Sequence, residues 1–498
     1  MEDKYNIRIA VGARTLVDVN DFPVADGCIT FLFGESGIGK SLIAKALFGV
    51  MDDPDLRVSI NGKRFQGYHG DPYVEDRQRN GFFVFQEPSS HLNPLLTIDD
   101  QLHEGSLAAH PSAESVAEEL WDGKESDSFR RILPVFPEPH RPSGGEKQRI
   151  LGSMALQKMD IVAGRPEGSP ALFVFDEPTG SLDREGRDRF LERIFARFQR
   201  RHETILFVTH DYGIISFVRS KGGSIASRVR YRELHLEGDR QLVRDFNPDK
   251  FLSWLGSLHP DDKGGAGRPA VLSVESNIRV FGRTMQFVDP EKKTAGGPMI
   301  VRKGDCVYLK AASGIGKTTI AKIVVGLQEA QHFRMVLEGT RLGEISPKEY
   351  WRKRIWGRDA TMAFQHADEA LNLRSTVANS LGILPAARGW GEDKLKSALA
   401  LLFSLEEIPR LFHRKVWQLS GGQKQRLNLL RAFMLSTPLL ILDEPLNALD
   451  FESITRVLDL ISARRKTGQG VLLISHNEDI FQALIPPQRI YGLTVEGA

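Results

Sequence analysis

The chain carries the same landmarks twice. Asn6-Ile7-Arg8-Ile9 is answered by Asn277-Ile278-Arg279-Val280, Lys40 by Lys317 and Gln86 by Gln365. Ser143 is answered by Ser420, Asp176 by Asp443 and His210 by His476. The offset is 277 residues at Lys40 and at Ser143, and 266 at His210. The step has a visible cause: a Gly/Pro-rich loop, Ala163 to Pro170, stands where the second copy has only Ser436-Thr437-Pro438. So long a period excludes a solenoid of short repeats and implies a duplicated domain. Between the copies, His259 to Pro269 is polar and rich in Gly and Pro, as linkers are. The expected division is domain one at 1–255, linker at 256–269 and domain two at 270–498.

Within each copy, short apolar runs alternate with helical segments. Cys28 to Phe33, Leu172 to Phe175 and Leu439 to Leu442 are apolar throughout, which suits central parallel strands buried on both faces. Leu42 to Phe48 and Ile320 to Val325 are apolar with helical character, and each stops at a glycine. Strand, glycine loop, helix is the opening of an α/β domain that binds phosphate, so the expected fold class is α/β with two such domains in tandem.

Composition narrows the functions. Lys+Arg 66 against Asp+Glu 64 gives no broad basic field, so nucleic acid is not an expected partner. No run of about 18 apolar residues is present, and the first ten residues do not read as a secretory signal. The two cysteines, Cys28 and Cys306, lie in apolar runs without metal-ligand spacing and read as buried strand thiols. A reducing, cytoplasmic setting is expected.

The glycine loops carry the chemistry. Gly34-Glu35-Ser36-Gly37-Ile38-Gly39-Lys40-Ser41 fits the P-loop pattern. Its glycines let backbone N–H groups wrap phosphate oxygens at a helix N-terminus, Lys40 reaches the outer phosphates, and the Ser41 hydroxyl suits Mg²⁺. In the second copy Ala311 replaces the first glycine, while Ser313, Gly314, Gly316, Lys317 and Thr318 keep the pattern. Asp176-Glu177 and Asp443-Glu444 each end an apolar strand, where a carboxylate projects into the crevice that holds α/β ligands. There the aspartate suits Mg²⁺ and the glutamate suits the orientation or deprotonation of an attacking water.

Ser420-Gly421-Gly422-Gln423, after Leu419 and before Lys424-Gln425-Arg426, resembles the signature of ATP-binding-cassette (ABC) proteins. The first copy reads Ser143-Gly144-Gly145-Glu146, with Pro142 for the usual leucine and Glu146 for the usual glutamine. A serine at a helix start followed by glycines leaves N–H groups at the positive end of the dipole, a second anion site. Gln86 and Gln365 resemble the Q-loop glutamine that senses Mg²⁺ and the attacking water. His210 and His476 resemble the switch histidine, and Ser181-Leu182-Asp183 and Ala448-Leu449-Asp450 resemble the D-loop. Phe281 fits the aromatic that stacks on adenine; the aligned residue in the first copy is Val11, with Tyr5 nearby but out of register.

The resemblance implies an ATPase with ATP and Mg²⁺ as substrate and cofactor. It implies that the halves pair head to tail, within one chain as first expectation or across two as the alternative, each nucleotide lying between one half's P-loop and the other's signature. Site one is then Lys40, Ser41, Gln86, Asp176, Glu177 and His210; site two is Lys317, Thr318, Gln365, Asp443, Glu444 and His476. Both are expected to hydrolyse, the second more slowly because of Ala311 and Glu146. Gln86 to Pro94 resembles the Q-loop region of the ATPase subunits of peptide and nickel importers, and Trp351-Arg352 fits that group too. By that likeness the chain sits on the cytoplasmic face of a membrane and drives two separate membrane-spanning subunits. A soluble tandem ATPase that assembles, activates or remodels a protein complex is the alternative.

Overall fold

The computed structural model describes the chain except residues 1, 52, 105–112, 122–125, 138–141, 166–169, 181, 238–239, 261–266, 293, 295, 312–314, 345 and 496–498. It divides into two units, Met1–Leu252 and Ser253–Ala498, the division falling within the helix Pro248–Ser257.

In the first unit β1 (Glu2–Val11), β2 (Arg14–Ala25), β4 (Leu56–Ile60) and β5 (Lys63–Arg64) form an antiparallel sheet in the order β2-β1-β4-β5. The second sheet holds β3 (Ile29–Gly34), β6 (Phe82–Val84), β7 (Leu172–Asp176), β8 (Thr204–Val208), β9 (Val229–Glu237) and β10 (Arg240–Asp245), ordered β10-β9-β3-β8-β7-β6. All its neighbouring pairs are parallel except β9–β10. The apolar runs at β3, β7 and β8 are fully buried, which is why they read as continuous rather than alternating. Cys28 and Cys306 are buried free thiols.

The second unit repeats this plan. Its antiparallel sheet, ordered β14-β11-β16-β17, comes from β11 (Ala270–Val274), β14 (Met299–Arg302), β16 (Arg334–Leu337) and β17 (Thr340–Gly343). Its large sheet runs β12-β13-β21-β15-β20-β19-β18, from β12 (Ile278–Val280), β13 (Arg283–Val288), β15 (Cys306–Lys310), β18 (Ala360–Ala363), β19 (Leu439–Asp443), β20 (Gly470–Ile474) and β21 (Ile490–Val495). The copies differ at their start. Arg8 pairs with Ser59 inside the small sheet, whereas Arg279 lies in a hairpin on the large one, and Ser273 holds the place opposite Val336. The matching tetrapeptides therefore do not share a register, because the second unit divides between β11 and β12 what the first builds as one strand.

Candidate functional site

Each P-loop leaves a parallel strand at the centre of the large sheet and turns into a helix, Lys40–Phe48 or Lys317–Val324. The turn is made by Gly39 and Gly316 at φ 111° and 106°, a region closed to side chains. A Cβ on Gly316 would also lie 2.4 Å from Met285 Cε. The first glycine differs between the copies. Gly34 has φ 141°, and a Cβ there would meet the Leu234 carbonyl at 2.4 Å, whereas Ala311 is not in the left-handed region. The second loop therefore enters on a different backbone path. Ser313 and Gly314 lie outside the described residues. Ser36 is half-buried and Gly37 exposed. Lys40 Nζ donates to the Gly34 carbonyl at 2.6 Å and the Glu35 carbonyl at 3.0 Å, and Lys317 Nζ donates to the Ala311 carbonyl at 2.6 Å.

In the first unit the predicted residues converge. Ser41 Oγ donates to Asp176 Oδ1 at 2.9 Å, Gln86 Nε2 donates to Glu177 Oε2 at 2.8 Å, and His210 Nδ1 lies 3.4 Å from Glu177 Oε1. Burial pushes Asp176 up to about 6 against the pull of the Ser41 hydroxyl. Burial also opposes ionisation of Glu177, but His210, Lys40 and Gln86 outweigh it and hold the carboxyl at about 2. Burial likewise disfavours the His210 imidazolium, yet the Glu177 carboxylate raises the ring's pKa. The result is an ionised carboxylate positioned by an amide and an imidazole, the arrangement a water-activating base needs.

The second unit brings the same residue types to the same strand ends and wires them differently. Glu444 Oε2 accepts from the Ser475 hydroxyl at 3.1 Å and the His476 amide at 3.0 Å. His476 Nε2 lies 3.5 Å from Glu444 Oε1. Gln365, half-buried two residues past β18, makes no hydrogen bond to Glu444. Glu444 is 2 % exposed, and burial pushes its carboxyl up to about 7 despite the donors from His476 and Ser475 and the charge of Lys317.

The backbone supplies a feature that the sequence did not advertise. Glu177 and Glu444 have φ 47° and 48°, and their amides donate to Val208 and Ile474 carbonyls on the adjacent strand. A left-handed glutamate is uncommon and strained, and it occurs at the same strand end in both units. No residue-type rule signals it.

The residues fit a divalent cation. Both Asp443 oxygens are buried and without a hydrogen-bond partner among the described residues. Burial holds that carboxyl up at about 6, the Thr318 hydroxyl and Lys317 offsetting it only in part. A desolvated carboxylate beside a hydroxyl is what one cation would satisfy. Among the described residues no three His, Cys, Asp or Glu converge on one point. A nucleotide-borne Mg²⁺ needs only one or two protein ligands.

Ser143 and Ser420 each cap a long helix, Gly144–Ala163 and Gly421–Met434, in a capping box. Gln423 closes the second box with Oε1 on the Ser420 amide at 3.1 Å. In the first, the Glu146 carboxylate accepts from the Ser143 amide and hydroxyl, both at 2.7 Å. Glu146 thus folds back onto its own cap. Gly144 and Gly145, like Gly421 and Gly422, form the first turn of their helix. Each helix also grips its own Q-loop segment: Lys147 Nζ donates to Ser89 Oγ at 3.1 Å, and Asn428 Nδ2 to the Phe364 carbonyl at 2.9 Å.

Asp183 and Asp450 cap the next helices through Gly186 and Ser453 amides, both at 2.8 Å, while Ser181 lies outside the described residues. Phe281 stands 77 % exposed at the β12–β13 turn, open to a base. Tyr5 is buried and accepts from Arg77, which removes it as a stacking ring.

The family described as ABC transporter matches residues 17–180 and again 298–447. An uncharacterized ABC transporter ATP-binding protein, YejF of Escherichia coli strain K12, is 27% identical over 501 residues, covering 95% of this chain and 89% of that protein. The glutathione import ATP-binding protein GsiA of the same organism is 25% identical, covering 93% of this chain and 79% of that one. The peptidoglycan transport ATP-binding protein YejF of Agrobacterium fabrum is 27% identical, covering 94% and 86%. Among solved structures, an RNase-L inhibitor aligns over 98% of this chain and 89% of its own with TM-score 0.61 at 17% identity, a likeness of fold. No helix among the described residues is long and apolar enough to cross a membrane.

Proposed function

Because the chain belongs to the ABC transporter family of ATPases and carries its nucleotide-binding domain twice, we propose that it is the ATP-hydrolysing subunit of an importer, driving two separate membrane-spanning subunits from the cytoplasmic face. The observation that carries this reading is the coverage. Relatives whose names state import or transport match 93% to 94% of the chain, tandem arrangement included. The Q-loop run Gln86 to Pro94 supports it by its likeness to importer subunits. Similarity to the RNase-L inhibitor is of fold at 17% identity and does not favour a soluble assembly role.

In the proposed mechanism ATP lies against the P-loop amides and Lys40 or Lys317, and Phe281 stacks on adenine in the second unit. Ser41, Asp176 and Gln86, and Thr318, Asp443 and Gln365, would hold Mg²⁺, which when bound supplies charge for the phosphates. Glu177 and Glu444 accept the proton of the attacking water. His210 and His476 steady those carboxylates and face the outer phosphate. Ser143 and Ser420, at the starts of helices gripping the Q-loops, offer amides to phosphate and join nucleotide contact to helix position. The partner subunits would feel that movement beside the Q-loop.

The test is affinity purification of the tagged chain from detergent-solubilised membranes, with identification of stoichiometric partners. Two multi-span proteins support the importer. Soluble partners alone, with the chain absent from membranes, overturn it.

A further inference from the structure

On the small sheet of the first unit, β1 and β2 turn one face to the P-loop: Val17 Cγ2 lies 2.7 Å from where a Cβ on Gly39 would be. Ile7, Ile9, Val17, Val58 and Ile60 share that buried face. The opposite face takes no part in the site described above. There, Arg8 pairs with Ser59 and Ser59 with Arg64, placing one row across three strands. The next row is Thr15, Ala10 and Arg57. Neighbouring strands lie about 4.8 Å apart, and diagonal neighbours on one face are within reach of long side chains. Three arginines therefore stand round a floor of small side chains, Ala10, Ser59 and Thr15. The face is hollowed into a groove of about 840 Å³, walled on one side by Phe65.

Arg8, Arg57 and Arg64 are exposed, and none makes an ion pair or hydrogen bond among the described residues. Asp18 stands opposite Arg8 on β2, and the two side chains form no ion pair or hydrogen bond. Asp53, on the groove wall, already accepts from the Asp55 amide. Three guanidinium groups held on one face repel one another, and a bound anion would relieve that repulsion. Their planar forks match carboxylate and phosphate oxygens two at a time. The Ser59 and Thr15 hydroxyls add neutral donors, and the groove has the volume of a small-molecule site.

The second unit does not reproduce this set. In its sheet Ser273 and Val336 hold the places that Arg8 and Ser59 hold in the first, although Arg334 and Arg341 remain. The duplicated scaffold thus kept two arginines on each face and completed a third, with a polar floor, in one unit only.

We propose that this groove is a binding site for a small organic polyanion carrying two or more phosphate or carboxylate groups, separate from both nucleotide sites and independent of the importer reading. The test titrates fructose 1,6-bisphosphate, and separately citrate, into the full chain by calorimetry, with Mg²⁺ and a non-hydrolysable ATP analogue saturating. The expected result is one site for at least one probe. Arg8→Ala, Arg57→Ala and Arg64→Ala each weaken it about tenfold or more, since each removes charge-assisted bonds. The Arg334→Ala, Arg341→Ala chain binds as the parent does. Which probe binds tells phosphate from carboxylate. No binding of either probe at millimolar concentration overturns the proposal, as does binding that survives all three groove variants or appears only when the ATP analogue is left out. The groove positions are exposed, so unchanged melting temperatures will separate lost binding from lost folding.

Discussion

Gln86 holds Glu177: the amide Nε2 lies 2.8 Å from carboxylate Oε2, joining the segment after β6 to the end of β7. Nothing equivalent joins Gln365 to Glu444, whose Oε2 is taken by Ser475 and His476. Removing a hydrogen bond to a charged group costs about 1.5–3 kcal/mol, or about 10- to 100-fold in rate where it positions the reacting carboxylate. Gln86→Ala is therefore expected to lower steady-state kcat by about that factor at the first centre. Gln365→Ala should lower it less at the second. Each is measured with the other centre disabled by its glutamate-to-glutamine change.

The two glutamates also titrate in opposite senses. Glu177 is held at about 2, below its usual range, so its contribution to stability is present above that range and is lost as pH falls toward 2. Glu444 is raised to about 7, so it favours folding at acid pH and loses that contribution as pH rises from the usual 4.5 through about 7. A base must be ionised to act. In the Glu177→Gln chain, turnover is expected to rise about tenfold between pH 6 and 8 as Glu444 ionises. In the Glu444→Gln chain Glu177 is already ionised, so the change across that interval should be smaller, coming only from Asp176 and His210.

Glu146 puts a carboxylate at a helix start that otherwise attracts anions. Glu146→Gln keeps the capping box, because glutamine serves as Gln423 does, and removes the charge. The expected effect is a several-fold lower KM for ATP at low salt, shrinking as salt rises, with stability changed by less than about 0.5 kcal/mol. Glu146→Ala gives the same gain in affinity but loses about 1 kcal/mol from the cap. Melting curves of the two variants separate these effects.

Arg197 ties the helix Arg184–Arg200 to its neighbours through Glu119 at 2.9 Å and Asp160 at 2.7 Å. Its side chain is 5 % exposed and that of Asp160 8 %. Arg197→Met leaves Asp160 to the exposed Arg200 at 3.1 Å and Glu119 to Arg193 at 3.4 Å, and is expected to cost about 1.5–3 kcal/mol in urea unfolding. Arg197→Lys rescues little, because an ammonium group cannot bridge both acids with a planar fork.

Much of this was legible in the residues, for reasons that can be named. Phosphate loops need glycine where φ is positive, so Gly39 and Gly316 announce themselves; central parallel strands need unbroken apolar runs, so β3, β7 and β19 do too. The order of Gln86, Ser143, Asp176 and His210, met twice, marks the candidate centres. What stayed hidden depends on geometry that residue type does not encode. The left-handed turn at Glu177 and Glu444 is one case. The choice of Glu444 to face Ser475 rather than Gln365 is another. Glu146 was expected to weigh on the anion site, and its folding back onto Ser143 shows how it can cap a helix as well. The groove of Arg8, Arg57 and Arg64 was invisible because its members lie far apart in sequence and meet only through the register of β1, β4 and β5.

Glu177 and Glu444 are the two bases of the proposed hydrolysis, and they are unequal. The most direct test is phosphate release from ATP by the parent chain, Glu177→Gln, Glu444→Gln and the double variant, each saturated with Mg²⁺ and ATP. Glu177→Gln is expected to remove the larger share of turnover and Glu444→Gln the smaller, while the double variant binds ATP but releases almost no phosphate. Parent-like turnover in the double variant, or loss of all turnover with Glu444→Gln while Glu177→Gln remains active, would contradict it.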